Sequence, residues 1–299
     1  MKNTHKIGID YTEVIKQRKC KRDLPLVGRI KTNVDIRKIK AQVSELLVKY
    51  RCKIDAQNFS ADPASTEHSY NLRNTKGELF VKNYEEVYRK YSVIGLQELS
   101  EEAKQFARNL SYSVSDLTPV QRLHGMTNTS SKFYHPFYDE RNYTEKTEYC
   151  EGYIQEVLDM FQSASCRSAL VVLYPGEFLS PHFDVGAEYI TRLQIPIFTN
   201  AGATIGVKGP HGWEEFHLPA DGGIYFINAG YEHYAINLGQ EPRFQIRICL
   251  NGQDDLHGME PVQSLRRLTP SEFAKMPFCD AQETADCVDQ KALAEFNLK

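Results

Sequence analysis

The sequence ALVVLYPGEFLSPHFD, residues 169–184, combines an apolar β-strand, a Pro-Gly turn and a polar end that holds two potential metal ligands. It opens a region in which short β-rich runs follow one another closely, separated by Gly, Pro and Asn. Such spacing is typical of an antiparallel sandwich or barrel. The runs predicted as strands are 169–174, 189–198, 203–207, 214–218, 223–228, 233–238 and 243–250.

Helical patterns flank this region on both sides. Asn33 or Asp35 is expected to cap a helix whose apolar residues recur at helical spacing. Near the C-terminal end, Thr269 and Glu272 form the cap and the reciprocal glutamate of another helix start. Further helices are predicted at 84–91, 100–110 and 147–164, and short strands at 24–30, 70–73 and 79–81. The predicted fold class is therefore mainly β with flanking helices (α+β).

The chain is expected to divide into three parts. Residues 1–23 are polar and basic and predict a flexible arm, whereas 24–256 predict one β-rich domain with helical support at its N-terminal side. Within that domain, 111–146 is aromatic and polar without periodicity; because loops of this length are usually functional or disordered, we expect a lid-like loop. Residues 257–299 predict a helical extension.

Composition narrows the function classes. Hydrophobic residues make up 41% of the chain, charged residues 25%, and the formal net charge is -3. This balance argues against nucleic acid or an anionic membrane as the main partner. The seven cysteines are scattered without a C-x-x-C pair, which disfavours a disulfide framework and a structural zinc site. No secretory signal or membrane span is recognised, so a cytoplasmic location is expected.

Four polar side chains suggest a metal centre. His182 and Asp184 lie two residues apart, so in an extended chain both point to the same side. Two imidazoles, the second from His233, and one carboxylate can hold one face of an iron(II) octahedron. Arg243 suits a carboxylate ligand, because its guanidinium binds that group bidentately. Taken singly, His-x-Asp is often a solvated pair and a lone histidine is more often structural.

Two arrangements remain open around these residues. If the strands 233–238 and 243–250 pair as a hairpin, His233 and Arg243 lie side by side. The strands 190–197 and 243–248 each have an apolar face and a polar face. Their polar faces either meet water, as in a plain amphipathic sheet, or line a barrel that is wide enough for a small ligand, with the apolar faces under helices.

These segments resemble the aspartyl/asparaginyl β-hydroxylase-like branch of the iron(II)/2-oxoglutarate oxygenases, which includes proline cis-4-hydroxylase-like enzymes. The likeness is clearest in 174–184, 191–200, 223–228 and 233–237 together with Arg243. It covers about 170–250, with a fainter likeness back to residue 24. The resemblance implies a double-stranded β-helix core (a jelly roll, cupin-like).

The resemblance also implies roles for single residues. His182, Asp184 and His233 would bind iron(II), and Arg243 would pair with the distal carboxylate of 2-oxoglutarate. Arg192 is expected near the co-substrate or a substrate acid group, and Arg73 is a weaker candidate for the substrate. Gln194 stands where many relatives have a histidine that helps to bind 2-oxoglutarate, and Val171 stands where some have serine.

The expected function is hydroxylation of an unactivated C–H bond by O2, with release of succinate and CO2. The expected substrate is a free amino acid or an amino-acid-like, nitrogen-rich intermediate of natural-product biosynthesis. A homodimer is the expected assembly if the chain associates with a protein. One alternative is hydroxylation of an Asp, Asn or Pro side chain in a peptide or protein. The other is a non-catalytic β-barrel binding module with structural histidines.

Overall fold

The computed structural model describes residues 15–49, 92–112, 131–136 and 138–282. The helices are α1 (Ile36–Lys49), α2 (Glu101–Arg108), α3 (Gly152–Asp159), α4 (Pro270–Phe273) and α5 (Pro277–Gln282). The strands are β1 (Val27–Asn33), β2 (Ser92–Gly95), β3 (Gln97–Glu98), β4 (Glu145–Lys146), β5 (Ser165–Leu173), β6 (Phe178–His182), β7 (Thr191–Phe198), β8 (Ala203–Gly209), β9 (Gly212–Phe216), β10 (Gly223–Ile227), β11 (His233–Asn237), β12 (Arg243–Leu250), β13 (Glu260–Pro261) and β14 (Arg266–Arg267).

Two antiparallel sheets form the body of the fold. The first has the strand order β13-β1-β10-β7-β12-β5-β2 and the second has the order β14-β9-β8-β11-β6. Along the chain from β5 to β12, the strands alternate between the two sheets, except that β8 and β9 form a hairpin within the second. This is the winding of a double-stranded β-helix. The jelly-roll prediction, mainly β with flanking helices, is confirmed.

The expected hairpin between β11 and β12 is wrong. β11 pairs with β6 and β8 in the second sheet, whereas β12 pairs with β5 and β7 in the first. In a jelly roll the chain crosses from one sheet to the other after β11, so the two strands face each other across the interior. His233 and Arg243 therefore lie on opposite sheets rather than side by side.

The first sheet presents its apolar face to helices and its polar face to the interior. Ile39 and Val43 of α1 and Val157 of α3 belong to the same buried cluster as Leu193 of β7 and Ile246 of β12. Burying this face against two helices removes apolar area from water, which stabilises the fold by about 25 cal/mol per Å². The alternate residues of β7 and β12 consequently point between the sheets. Of the two predicted arrangements, the structure therefore shows the one in which the polar faces line the barrel interior.

Some sequence expectations need adjustment. The α2 helix begins after Ser100, whose side chain accepts the Ala103 N–H, as predicted for 100–110. The α3 helix is shorter than the predicted 147–164, because the Thr147 N–H donates to the Leu96 carbonyl and ties that segment to the strands. The β6 strand was missed altogether. Predictions for 70–73, 79–81 and 84–91 lie outside the described residues.

The C-terminal part was expected to be helical, and in the described residues 257–282 it also contains strands. β13 extends the first sheet and β14 extends the second, before Thr269 and Glu272 form the predicted capping box of α4. Phe278 and Met276 then cover the outer face of the second sheet at Tyr234. Within the described ranges, none of the helices is both long and apolar enough to cross a membrane.

Candidate metal centre

His182 and His233 are cross-strand neighbours in the second sheet. The end of β6 pairs with the start of β11, and these two residues stand opposite each other with ring centroids 4.2 Å apart. Asp184 follows two residues after His182, and its backbone N–H donates to the Ala229 carbonyl over 3.0 Å. The ligand atoms of the three side chains lie within 4.8 Å of one another. The fold thus brings the His182–Asp184 pair together with His233, which lies about fifty positions further along the sequence.

The backbone sets which nitrogen each histidine offers. The Nδ1 atom of His182 lies 2.7 Å from the Ser180 carbonyl oxygen, and that of His233 lies 3.0 Å from the Tyr231 carbonyl oxygen. A carbonyl oxygen can only accept, so each Nδ1 carries the proton and donates. In this tautomer Nε2 is the nitrogen that carries the lone pair available to a metal. Such outer hydrogen bonds are the usual way of orienting a metal-binding imidazole.

The protonation states also suit a divalent cation. Burial, assisted by the neighbouring His182, lowers the pKa of His233 to about 4, so its ring is neutral near pH 7. Burial alone would raise the pKa of Asp184, but the neighbouring Arg192 guanidinium outweighs it and holds that pKa well below its usual range. The neutral imidazole of His233, the ionised carboxylate of Asp184 and the second imidazole, from His182, are a fitting donor set for iron(II) and similar metals.

Arg192 links the metal ligands to an ion pair that the sequence did not reveal. Its Nη2 lies 3.2 Å from Asp184 Oδ2 and donates to Glu140 Oε1 over 2.7 Å, while Nη1 hydrogen-bonds the other oxygen of Glu140. Nη1 also lies 2.7 Å from the sulfur of Cys249. Arg192 was expected to contact a ligand acid group. In the structure its fork is instead occupied by the protein's own carboxylates.

Glu140 is buried between two arginines. Burial opposes its ionisation, but Arg192 and Arg167 outweigh it and lower the pKa of Glu140 to about 2. Arg167 reaches Glu140 over 3.2 Å from a left-handed backbone conformation with φ 44°, an unusual one for a non-glycine residue. Its backbone N–H donates to the Tyr143 carbonyl, which fixes the 140–143 turn on β5. The one sequence signal was a charged Asp-Glu-Arg-Asn run, 139–142, inside an aromatic segment.

Arg243 is buried at the start of β12, with 3% of its surface exposed. Its Nη2 donates to Gln194 Oε1 over 3.2 Å and also to the amide oxygen of Gln245. Gln194 stands opposite Arg247, four residues further along β12, so the Arg243 side chain extends along the strand towards the metal end of the barrel. Gln194 therefore lies beside Arg243, whereas Arg73 lies outside the described residues.

No protein-family model matches the sequence, and no curated protein is significantly similar to it. A cupin domain from Bordetella pertussis is 17% identical over 31% of this chain and 88% of that chain, with a TM-score of 0.24. An oxalate decarboxylase variant from Bacillus subtilis is 25% identical over 40% of this chain and 28% of that chain, also with a TM-score of 0.24. These similarities are too partial to support an argument, so the fold assignment rests on the strand order.

Proposed function

We propose that this protein is an iron(II)/2-oxoglutarate-dependent dioxygenase that hydroxylates an unactivated C–H bond of a small soluble substrate. A free amino acid, or an amino-acid-like intermediate, is the substrate class that we favour. The observation that carries the proposal is the convergence of His182, Asp184 and His233 at one end of a jelly-roll interior that also holds the buried Arg243. An isolated metal site would not require a buried guanidinium on the opposite sheet.

Each residue has a distinct task in this proposal. His182, Asp184 and His233 would hold the iron, and Arg243 would bind the distal carboxylate of 2-oxoglutarate. The amide oxygens of Gln194 and Gln245 orient the Arg243 guanidinium. Binding of an anion then costs less conformational entropy, because the guanidinium is already positioned. Iron with 2-oxoglutarate and O2 supplies the oxidising chemistry, with succinate and CO2 as the co-products.

Part of the expected lid-like loop is anchored against the barrel. Tyr134 and Tyr143 are buried, and the 140–142 turn between them is held by the ion pairs of Glu140. Closure of this loop over a bound substrate would exclude water and strengthen each electrostatic contact to a bound anion. Residues 113–130 of the expected lid lie outside the described residues.

The test is turnover of 2-oxoglutarate by purified protein with iron(II) over a panel of free amino acids. Substrate-dependent succinate formation, with a matching gain of one oxygen atom in the amino acid, is the expected result. His182→Ala should abolish it. A protein that binds neither iron nor 2-oxoglutarate contradicts the proposal and favours the alternative of a non-catalytic binding module.

A further inference from the structure

Arg247 is a second arginine of β12 that points into the barrel. It shares the face of Arg243 and Gln245, because side chains alternate along a strand and the intervening Ile246 and Ile248 are buried under the helices. On either side, Arg247 stands opposite Gln194 of β7 and Ala169 of β5. The side chain is therefore on the sheet surface between the anion-binding end at Arg243 and the metal end at Arg192.

The surroundings of Arg247 are partly apolar. Its neighbour Ala169 belongs to an interior cluster with Val171, and Ala235 of the second sheet packs against it. Val171, like Ala169, adds no polar group to this surface. Arg247 is half-buried beside these residues, so part of its side chain loses solvation that a hydrogen-bond partner would restore.

Arg247 differs from Arg192 in having no such partner in the described part of the chain. No hydrogen bond or ion pair joins it to another described residue, and its Nε is buried without an acceptor. Arg192, by contrast, is already paired with Glu140 and Asp184. Arg192 shares the unpaired Nε, so what distinguishes Arg247 is that its whole guanidinium lacks an acceptor among the described residues. A ligand anion is therefore its expected partner.

Arg247 also lies near the metal ligands. It stands opposite Gln194, two residues along β7 from Arg192, and the Arg192 Nη2 lies 3.2 Å from Asp184 Oδ2. An anion bound to Arg247 would consequently lie near the metal end of the interior, while still within one strand spacing of Gln194.

We propose that Arg247 binds a carboxylate of a ligand that enters the barrel, and that it thereby selects for acids. The inference rests on the proposed function and extends it to a substrate class. The carboxylate has two sources: the one next to the keto group of 2-oxoglutarate, or the acid group of the second substrate. The fork of Arg247 suits either one, because two parallel N–H donors match two carboxylate oxygens.

The experiment compares wild-type protein with Arg247→Gln, Arg247→Lys and the control Arg37→Gln, which removes an exposed charge on α1. The first arm measures the Kd of 2-oxoglutarate for manganese-loaded protein by calorimetry. The second arm measures succinate formation with iron(II) for free amino acids and for their carboxamides. Circular dichroism reports folding, and the lysine variant keeps the charge if the glutamine variant does not fold.

A Kd for 2-oxoglutarate weakened about tenfold or more in Arg247→Gln assigns the carboxylate to the co-substrate. An unchanged Kd, with a KM for the amino acid raised about tenfold or more and poor use of its carboxamide by wild-type protein, assigns it to the second substrate. Arg247→Lys should lose less than Arg247→Gln in either case. If Arg247→Gln equals wild type in both arms, the inference is overturned alone; if wild type binds neither metal nor 2-oxoglutarate, the proposed function falls with it.

Discussion

Arg192 Nη2 lies 3.2 Å from Asp184 Oδ2, so one oxygen of the only carboxylate in the triad is already engaged by a guanidinium. The other oxygen is left to coordinate a metal. Glu140 binds the same guanidinium with both of its oxygens and balances its charge. The metal ligand, the arginine and the glutamate thus form a chain from the metal centre to the 140–142 turn.

Replacing Glu140 should weaken metal binding. In Glu140→Gln, Arg192 keeps Asp184 as its remaining carboxylate partner among the described residues and competes with the metal for it. We expect the Kd for cobalt(II), used as an oxygen-stable probe, to rise about tenfold or more. Titration followed by the cobalt absorption spectrum measures it.

The matched control is Glu145→Gln, which removes an exposed charge on β4 of the same segment. Its cobalt affinity should equal that of wild type. A purely structural role of Glu140 would lower the Tm of Glu140→Gln and leave its cobalt Kd and spectrum unchanged, and that result would contradict the prediction.

Replacing Arg243 should separate co-substrate binding from metal binding. Arg243→Gln removes the buried charge and is expected to raise the Kd of 2-oxoglutarate by about ten- to a hundredfold, since hydrogen bonds to charged groups are worth roughly 1.5–3 kcal/mol. Cobalt affinity should change little, because Arg243 is not a ligand. Arg243→Lys should recover only part of the loss, since an ammonium cannot form the fork.

Calorimetry with 2-oxoglutarate on cobalt-loaded protein measures these differences, with the exposed Arg267→Gln of β14 as the control. Equal affinity of wild type and Arg243→Gln for 2-oxoglutarate would remove Arg243 from the co-substrate site.

Acid should destabilise the metal-free protein through its buried histidines. Burial lowers the pKa of His135 to about 4, from an ordinary 6.5. The unfolded chain therefore binds more protons than the folded one between these pH values, so stability is retained above pH 6.5 and falls as pH drops towards 4. The loss from His135 is at most about 3 kcal/mol.

Urea unfolding of His135→Gln and wild type in the presence of a chelator, at pH 7 and pH 5, tests this. The variant should lose less stability between the two pH values than wild type does. Parallel losses in both proteins would show that His135 is not protonated on unfolding in this range.

Local sequence signals predicted most of the strands and the His182–Asp184 pair, because both depend on short-range patterns. His233 was added to this pair by the family resemblance, since the hairpin that was expected to place it beside Arg243 does not form. Period-two alternation in β7 and β12 and the His-x-Asp spacing are properties of neighbouring residues. The pairing of β11 was wrong because sheet membership depends on how the whole chain winds. Whether the polar faces of β7 and β12 meet water or line the barrel interior likewise depended on where α1 and α3 pack.

Glu140 could not have been predicted in the same way. It lies in an irregular segment, 52 residues before Arg192, and no periodicity marks it as buried. The β6 strand was hidden for a related reason: its FLSPH sequence contains a proline and lacks alternation. The burial of Glu140 and the strand character of β6 are recognised only from the three-dimensional structure, which shows the ion pairs of Glu140 and the strand that pairs with β6.

The central claim, that His182, Asp184 and His233 form an iron site working with 2-oxoglutarate, is tested most directly by anaerobic iron(II) titration with 2-oxoglutarate present. We predict one iron per wild-type chain and loss of that binding in Asp184→Ala and His233→Ala, with both variants still folded. Iron binding that survives these substitutions, or a folded wild-type protein that binds no iron, would contradict it.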